Sequence, residues 1–339
     1  MTDVLLHVEQ LSKQYPGERK SSPVRAVADV SFEVNRGEVF SLVGESGCGK
    51  TTLGRCIARG LEASAGRVMY TTGSGETIDF LSADKSSFKR LRKDIQLIFQ
   101  DPYSSLNPRM TVFDIISEPL RANFKLSRRE LEERVAAIAE KTGLNPAYLR
   151  RYPHAFSGGQ RQRIGIARAL VTEPKLVICD EAVSALDVSI QAQIINLLKD
   201  LQEQLQMTYI FISHDLSVVE HISDRVAVMY LGRIVELAPK EELFARPLHP
   251  YTESLLSAVP VPDPDGKHER ILLEGEVPNP ANPPSGCPFH PRCRFRTERC
   301  SAEAPALREV STSRLAACHY ASELALEGVQ SESKEAAIL

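Results

Sequence analysis

Apolar and polar positions alternate through VLLHVEQLSKQY, residues 4–15, and the alternation predicts an edge strand. ADVSFEVNRGEVFSLVG supplies two more strands separated by Asn35, Arg36 and Gly37, and residues 50–59 read as a helix. Strand-like pieces recur at 66–70 and 95–99. From about 110 to 151 the pattern turns helical, with ELEERVAAIAEK keeping the 3.6-residue apolar period. A helix from Ser157, a buried strand LVIC, a long helix and the strand YIFIS follow. The long helix sets Ile190, Ile194, Leu197, Leu198, Leu201 and Leu205 along one stripe. Strands alternating with helices predict a largely parallel sheet with covered faces, and the stretch 110–151 reads as a helical insertion into it.

Composition changes this picture little: 339 residues, 42% hydrophobic and 25% charged, are ordinary for a globular chain. With 41 basic against 44 acidic residues and no Lys/Arg-dense run, nucleic acid is not an expected partner. MTDVLLHVEQLSKQY lacks the basic flank and apolar run of a signal peptide. No window approaches the roughly 18 apolar residues of a membrane helix. The expected place is the cytoplasm, with any membrane contact made through a partner.

Chemistry enters at GESGCGKTT, Gly44 to Thr52, which follows the strand EVFSLV and opens a helix. A Gly-x-x-x-x-Gly-Lys-Thr loop in that setting wraps backbone N–H groups around phosphate oxygens, and the helix adds its positive end. Lys50 is expected to reach the β- and γ-phosphates and Thr51 to ligate Mg²⁺. KLVICDEAVSALD ends a second apolar strand with Asp180, placed to organise Mg²⁺, and Glu181, placed to polarise the attacking water as general base. FSGGQRQR, residues 156–163, begins the helix before that strand. Ser157, Gly158, Gly159 and Gln160 at a helix start make a second phosphate site, although Ser-Gly-Gly taken alone is also a plain helix cap. One chain has no use for two such sites on one nucleotide; two chains set head to tail do.

With this ordered set, residues 4 to about 245 resemble the ABC ATPase family. The resemblance implies an α/β ABC ATPase fold: a mixed and parallel sheet core with an antiparallel β subdomain, a helical subdomain insertion and a small Cys-bearing C-terminal appendage. The core is expected over residues 1–100 and 157–246, and the helical subdomain leading to the signature over 101–156. Tyr15 matches the aromatic that stacks on adenine. Gln100 matches the residue joining the γ-phosphate and Mg²⁺ to the helical subdomain, and His214 the switch histidine. The implied nucleotide site comprises Tyr15, Gly44, Glu45, Ser46, Gly47, Cys48, Gly49, Lys50, Thr51, Thr52, Gln100 and Asp180, with Thr51, Gln100 and Asp180 on Mg²⁺. Glu181, His214 and Gln100 carry catalysis, Ser157 to Gln160 close a partner's ATP, and Ser184, Ala185, Leu186 and Asp187 match the loop facing the other protomer. The family commonly has Pro after the catalytic Glu; here Ala182 stands there.

Within that family, QDPYSSLNPRMTV, LHPYTESLLSAVPVPDPD and LLEGEVPNPANPPSGCPFHPRC look like the ATPase subunits of oligopeptide and dipeptide permeases, the F-type more than the D-type. This implies a D-type ATPase partner, two membrane-spanning permease subunits, a solute-binding receptor, and a place on the cytoplasmic face of the inner membrane. The extension is expected over 247–320 and a flexible tail over 321–339. Cys287, Cys293, Cys300 and Cys318 are separated by five, six and seventeen residues (288–292, 294–299 and 301–317). Clustered cytosolic cysteines favour a metal reading over disulfides. Members with this pattern are similar to ones carrying a [4Fe–4S] cluster; a Cys₄ zinc site and unligated thiols are the alternatives. Alternative functions are import of another solute (a glycoside, an opine, glutathione or a metal chelate) or a soluble non-transport ABC ATPase. The latter lacks its usual marks here, a long coiled-coil insertion or a second cassette.

Overall fold

The computed structural model describes residues 3–17, 23–259 and 270–329. Its strands are β1 (Val4–Tyr15), β2 (Val24–Asn35), β3 (Val39–Val43), β4 (Ala65–Thr71), β5 (Thr77–Asp79), β6 (Ile95–Ile98), β7 (Leu176–Asp180), β8 (Thr208–Ile212), β9 (Arg225–Tyr230), β10 (Arg233–Pro239), β11 (Arg308–Ser311) and β12 (Arg314–Ala316). The helices are α1 (Lys50–Ile57), α2 (Lys85–Leu91), α3 (Val112–Asn123), α4 (Arg128–Lys141), α5 (Gly158–Leu170), α6 (Val188–Leu205), α7 (Leu216–Ile222), α8 (Lys240–Ala245), α9 (Pro250–Leu256) and α10 (Glu298–Ala302).

Two sheets organise them. The larger runs β11-β12-β10-β9-β3-β8-β7-β6 and the smaller β2-β1-β4-β5. From β9 to β6 neighbouring strands are parallel, whereas β10, β12 and β11 extend the sheet antiparallel. Every residue of β3, β7 and β8 is buried, as strands covered on both faces require. The smaller sheet is antiparallel throughout. Its strand β1 lies between β2 and β4, so the expectation of an edge strand is corrected. Alternation reports which face of a strand is buried and carries nothing about its number of neighbours.

Leu6, Val8 and Leu11 of β1 pack with Leu42 of β3 and Leu53 of α1 between the two sheets, and Phe32 stacks on Phe40 with centroids 4.8 Å apart. Burying each such side chain contributes about 1.5–3 kcal/mol. A second cluster joins α3, α4 and α5 to α6 and the far face of the larger sheet. Thr111 caps α3, and Ser127 with Glu130 forms a capping box on α4, so the helical stretch divides into two hydrogen-bonded units.

The C-terminal residues return to the larger sheet. Ala316 and Leu315 of β12 pair with Glu236 and Leu237 of β10. Ala321, Leu326 and Val329, which the sequence puts in the tail, are buried, and the Val329 N–H donates to the Phe244 carbonyl at 2.8 Å. Residues 260–269 of the expected extension and 330–339 of the expected tail lie outside the described residues.

Candidate nucleotide site

Four adjacent strands of the larger sheet, β6, β7, β8 and β3, end on the same side. Gln100 follows β6, Asp180 ends β7 and is followed by Glu181, His214 follows β8, and Gly44 follows β3. Carboxyl ends of parallel strands are where open α/β sheets bind ligands. Parallel pairing thus gathers residues that are scattered over the chain.

The loop after β3 needs its glycines. Gly49 has φ +106, and a Cβ there would collide with the Ala26 carbonyl; one at Gly44 would collide with the Met229 carbonyl. Lys50 is 4% exposed and folds its ammonium back on the loop, donating to the Gly44 carbonyl at 2.8 Å and the Glu45 carbonyl at 3.1 Å. The Thr51 hydroxyl donates to Asp180 Oδ1 at 2.6 Å. Asp180 Oδ2 is buried without a hydrogen-bond partner and lies 3.6 Å from Arg55 Nε. Burial raises the Asp180 carboxyl above its ordinary range, against the Thr51 hydrogen bond and the charge of Arg55, and neighbouring Glu181 adds to the rise. A buried, partly unsatisfied carboxylate beside a hydroxyl is a hard-oxygen donor set that suits a divalent cation.

Glu181 sits at φ +48, a left-handed conformation that costs a non-glycine residue about 1–3 kcal/mol. Its N–H donates to the Ile212 carbonyl at 3.1 Å, which ties β7 to β8 at this point. Its Oε2 accepts from Gln100 Nε2 at 2.7 Å and lies 3.4 Å from His214 Nδ1. All three residues read as catalytic from the sequence therefore meet at one oxygen.

The signature residues bond among themselves. Ser157 caps α5, accepting from the Gln160 N–H at 3.3 Å, while Gln160 Oε1 accepts from the Ser157 N–H at 3.1 Å. Among the described residues no hydrogen bond joins 157–160 to 44–52. The Ser184 hydroxyl donates to the Glu181 carbonyl at 3.1 Å, and Asp187 caps α6 through the Ile190 N–H at 3.0 Å. The Ile190 N–H and the Ser189 hydroxyl, which donates at 2.8 Å, hold the Asp187 carboxyl below its ordinary range. Tyr15 is partly exposed at the end of β1, with Lys13 Nζ 5.2 Å from its ring centre.

Cys287, Cys293, Cys300 and Cys318 line one small pocket with Phe289, Phe295 and Tyr320. Burial pushes the Cys287 and Cys293 thiols up to about 11, and the mutual influence of the cysteines adds to it. Among the described residues, no three His, Cys, Asp or Glu side chains are disposed to hold a single metal ion. The appendage is far from the phosphate loop in sequence, and whether the two also stand apart in space is answered by Arg292. They do not: Arg292 Nη1 and Nη2 donate to the Glu45 carboxylate at 2.8 and 3.0 Å, and the Glu45 N–H donates to the Tyr251 hydroxyl at 2.8 Å. Arg55, Tyr251 and Arg292 escaped the sequence reading. Arg55 has the position of an ordinary helix-surface cation, and a contact spanning 247 residues leaves no periodic signal.

A phosphate loop tied to an acidic strand end, with a second carboxylate gripped by an amide and an imidazole, defines an ATP-hydrolysing site. Comparison with known proteins agrees. Residues 27–184 match the ABC transporter family, and residues 235–300 match the oligopeptide/dipeptide transporter C-terminal region. The chain is 55% identical to the probable peptide ABC transporter ATP-binding protein y4tS of Sinorhizobium fredii, over 94% of this chain and 90% of that one. It is 51% identical to the oligopeptide transport ATP-binding protein AppF of Bacillus subtilis, over 94% and 97%. It is 49% identical to the dipeptide transport ATP-binding protein DppF of Haemophilus influenzae, over 93% and 96%. Among solved structures, the dimeric post-hydrolysis state of the cassette MJ0796 with ADP and Pi aligns at TM-score 0.61 and 26% identity, covering 69% of this chain and 98% of that one. The chain belongs to the ABC transporter family, as an ATP-binding, ATP-hydrolysing subunit with a C-terminal region of the oligopeptide/dipeptide type. Among the described residues no helix is long and apolar enough to cross a membrane.

Proposed function

We propose that this chain powers import of oligopeptides or dipeptides, as the F-type ATPase of a heterodimer with a D-type partner. The heterodimer works beneath two permease subunits, at the cytoplasmic face of the cell membrane, and a solute-binding receptor delivers cargo. The observation that carries the catalytic part is the meeting of Gln100 and His214 at Glu181 Oε2 beside the Thr51–Asp180 pair. Glu181 takes the proton of the attacking water, Gln100 orients that carboxylate, and His214 sits where it senses the γ-phosphate. Lys50 and the loop N–H groups hold the phosphates. Thr51, Asp180 and Gln100 would hold Mg²⁺, which would supply positive charge against the phosphates. Ser157 to Gln160 close the partner's ATP, and Ser184 to Asp187 face the partner. Cargo class rests on the C-terminal region and on the relatives' names.

The same reading assigns Cys287, Cys293, Cys300 and Cys318 to a [4Fe–4S] cluster. Four cysteines line one pocket, and four thiolates are the ligand count such a cluster takes, whereas zinc ribbons favour cysteines paired two residues apart. When bound, the cluster staples a segment with little core of its own. The complex reconstituted in vesicles tests the cargo assignment. Receptor-dependent peptide uptake coupled to ATP hydrolysis is expected; uptake of a different solute class with peptides ignored contradicts it.

A further inference from the structure

Glu45 puts a carboxylate into the loop that receives a triphosphate. A negative charge there opposes the incoming anion unless something cancels it. Arg292 does so: the guanidinium meets the carboxylate through contacts of 2.8 and 3.0 Å, and the Arg292 side chain is only 7% exposed. A bidentate pair fixes the plane of both groups as well as their separation. The Glu45 backbone is held too, its N–H by the Tyr251 hydroxyl at 2.8 Å and its carbonyl by Lys50 at 3.1 Å. Behind these contacts lies a packed aromatic floor. Tyr230 at the end of β9, Tyr251 on α9 and Phe289 in the appendage have ring centres 4.7 to 5.3 Å apart. Loop, sheet and appendage therefore share one knot, in which none moves far without the others.

We infer that Arg292 is a positioning residue of the ATP site: it neutralises Glu45 and holds it off the phosphates, so that nucleotide binding and docking of the appendage favour each other. Linkage makes this reciprocal: whatever affinity the docked appendage lends to ATP, bound ATP lends to docking. The inference stands on the ATPase assignment alone and is independent of what the cysteines hold.

The test uses the assembled transporter carrying Arg292→Gln, Glu45→Gln or both. Arg292→Gln should raise KM for ATP about tenfold while the saturating rate stays within about twofold. The double variant should return KM to within about threefold of wild type, because the charge that opposed the phosphates is gone. In the wild-type complex a non-hydrolysable ATP analogue should slow hydrogen exchange across residues 290–303, and Arg292→Gln should abolish that protection. If Arg292→Gln does not assemble, Glu45→Gln severs the pair from the loop side and should abolish the same protection. An unchanged KM in Arg292→Gln, a loss confined to the saturating rate, a double variant as weak as the single one, or protection that survives Glu45→Gln would each overturn the inference.

Discussion

Gln100 donates a 2.7 Å hydrogen bond from Nε2 to Oε2 of Glu181, joining the ends of two neighbouring strands at the oxygen proposed to accept a proton. Gln100 also begins the segment leading into α3 and the helical subdomain. An amide gripping a carboxylate orients it without removing its negative charge, so a movement of the helical subdomain is transmitted to the base as a change of direction.

Replacing Gln100 by Ala removes that grip and leaves the base in place. The expected result is a fall in turnover of up to about 10²-fold, the cost of a misplaced group, with nucleotide affinity changed far less. Steady-state hydrolysis and nucleotide titration on the same complex separate the two. Equal losses in both would assign Gln100 to binding alone.

Because Ser157 to Gln160 make no hydrogen bond to the loop of their own chain, the isolated chain should hydrolyse ATP poorly. Specific activity should rise with protein concentration, and further on adding the D-type partner and the permeases. Full activity that survives dilution would contradict the shared-site geometry.

The C-terminal extension should have an acid limit set by His249. The side chain is buried, its Nδ1 accepts from the Tyr251 N–H at 3.1 Å, and burial depresses its pKa from 6.5 to about 3. The unfolded form therefore binds more protons between those values, so stability is full above 6.5 and is lost as pH falls toward 3. Burial raises Glu236 from 4.5 to about 7, which acts oppositely: its contribution is present below 4.5 and is lost as pH rises through 7. Of these two, only the His249 contribution is still changing below 4.5. Carboxylates held low by hydrogen bonds, such as Glu303, add acid losses there that a His249 variant leaves in place. His249→Asn, which keeps an acceptor for Tyr251, should flatten the decline of melting temperature below that pH. An acid limb identical to wild type would remove His249 from this role.

Much of the nucleotide site was legible in the sequence because its demands are local. Gly44 and Gly49 are forced by backbone geometry, and Asp180 and Glu181 by their place at the end of a buried strand. Gln100 and His214 were found through family resemblance, but their meeting at one oxygen depends on the strand order β6-β7-β8, which no local pattern encodes. β1 was misplaced at an edge for the same reason. The contact of Arg292 with Glu45 was invisible, since it joins residues 247 positions apart and exists only in the folded chain. The short helices α8 and α9 follow no long apolar period and were not predicted from the sequence.

The cysteine assignment is tested by colour and iron. Anaerobically prepared complex should be brown with about four irons per chain. Cys293→Ser should bleach it and open the appendage to protease. Stoichiometric zinc without iron, or four free thiols in an ordered appendage, would defeat it.

The central claim is that Glu181 is the base of an ATP-hydrolysing site, and Glu181→Gln tests it most directly because size is kept and basicity is lost. In the assembled transporter, ATP turnover should fall by about 10²- to 10⁴-fold while ATP still binds within about threefold of wild type and ATP-bound dimers accumulate. Turnover at the wild-type rate in that variant would contradict the account.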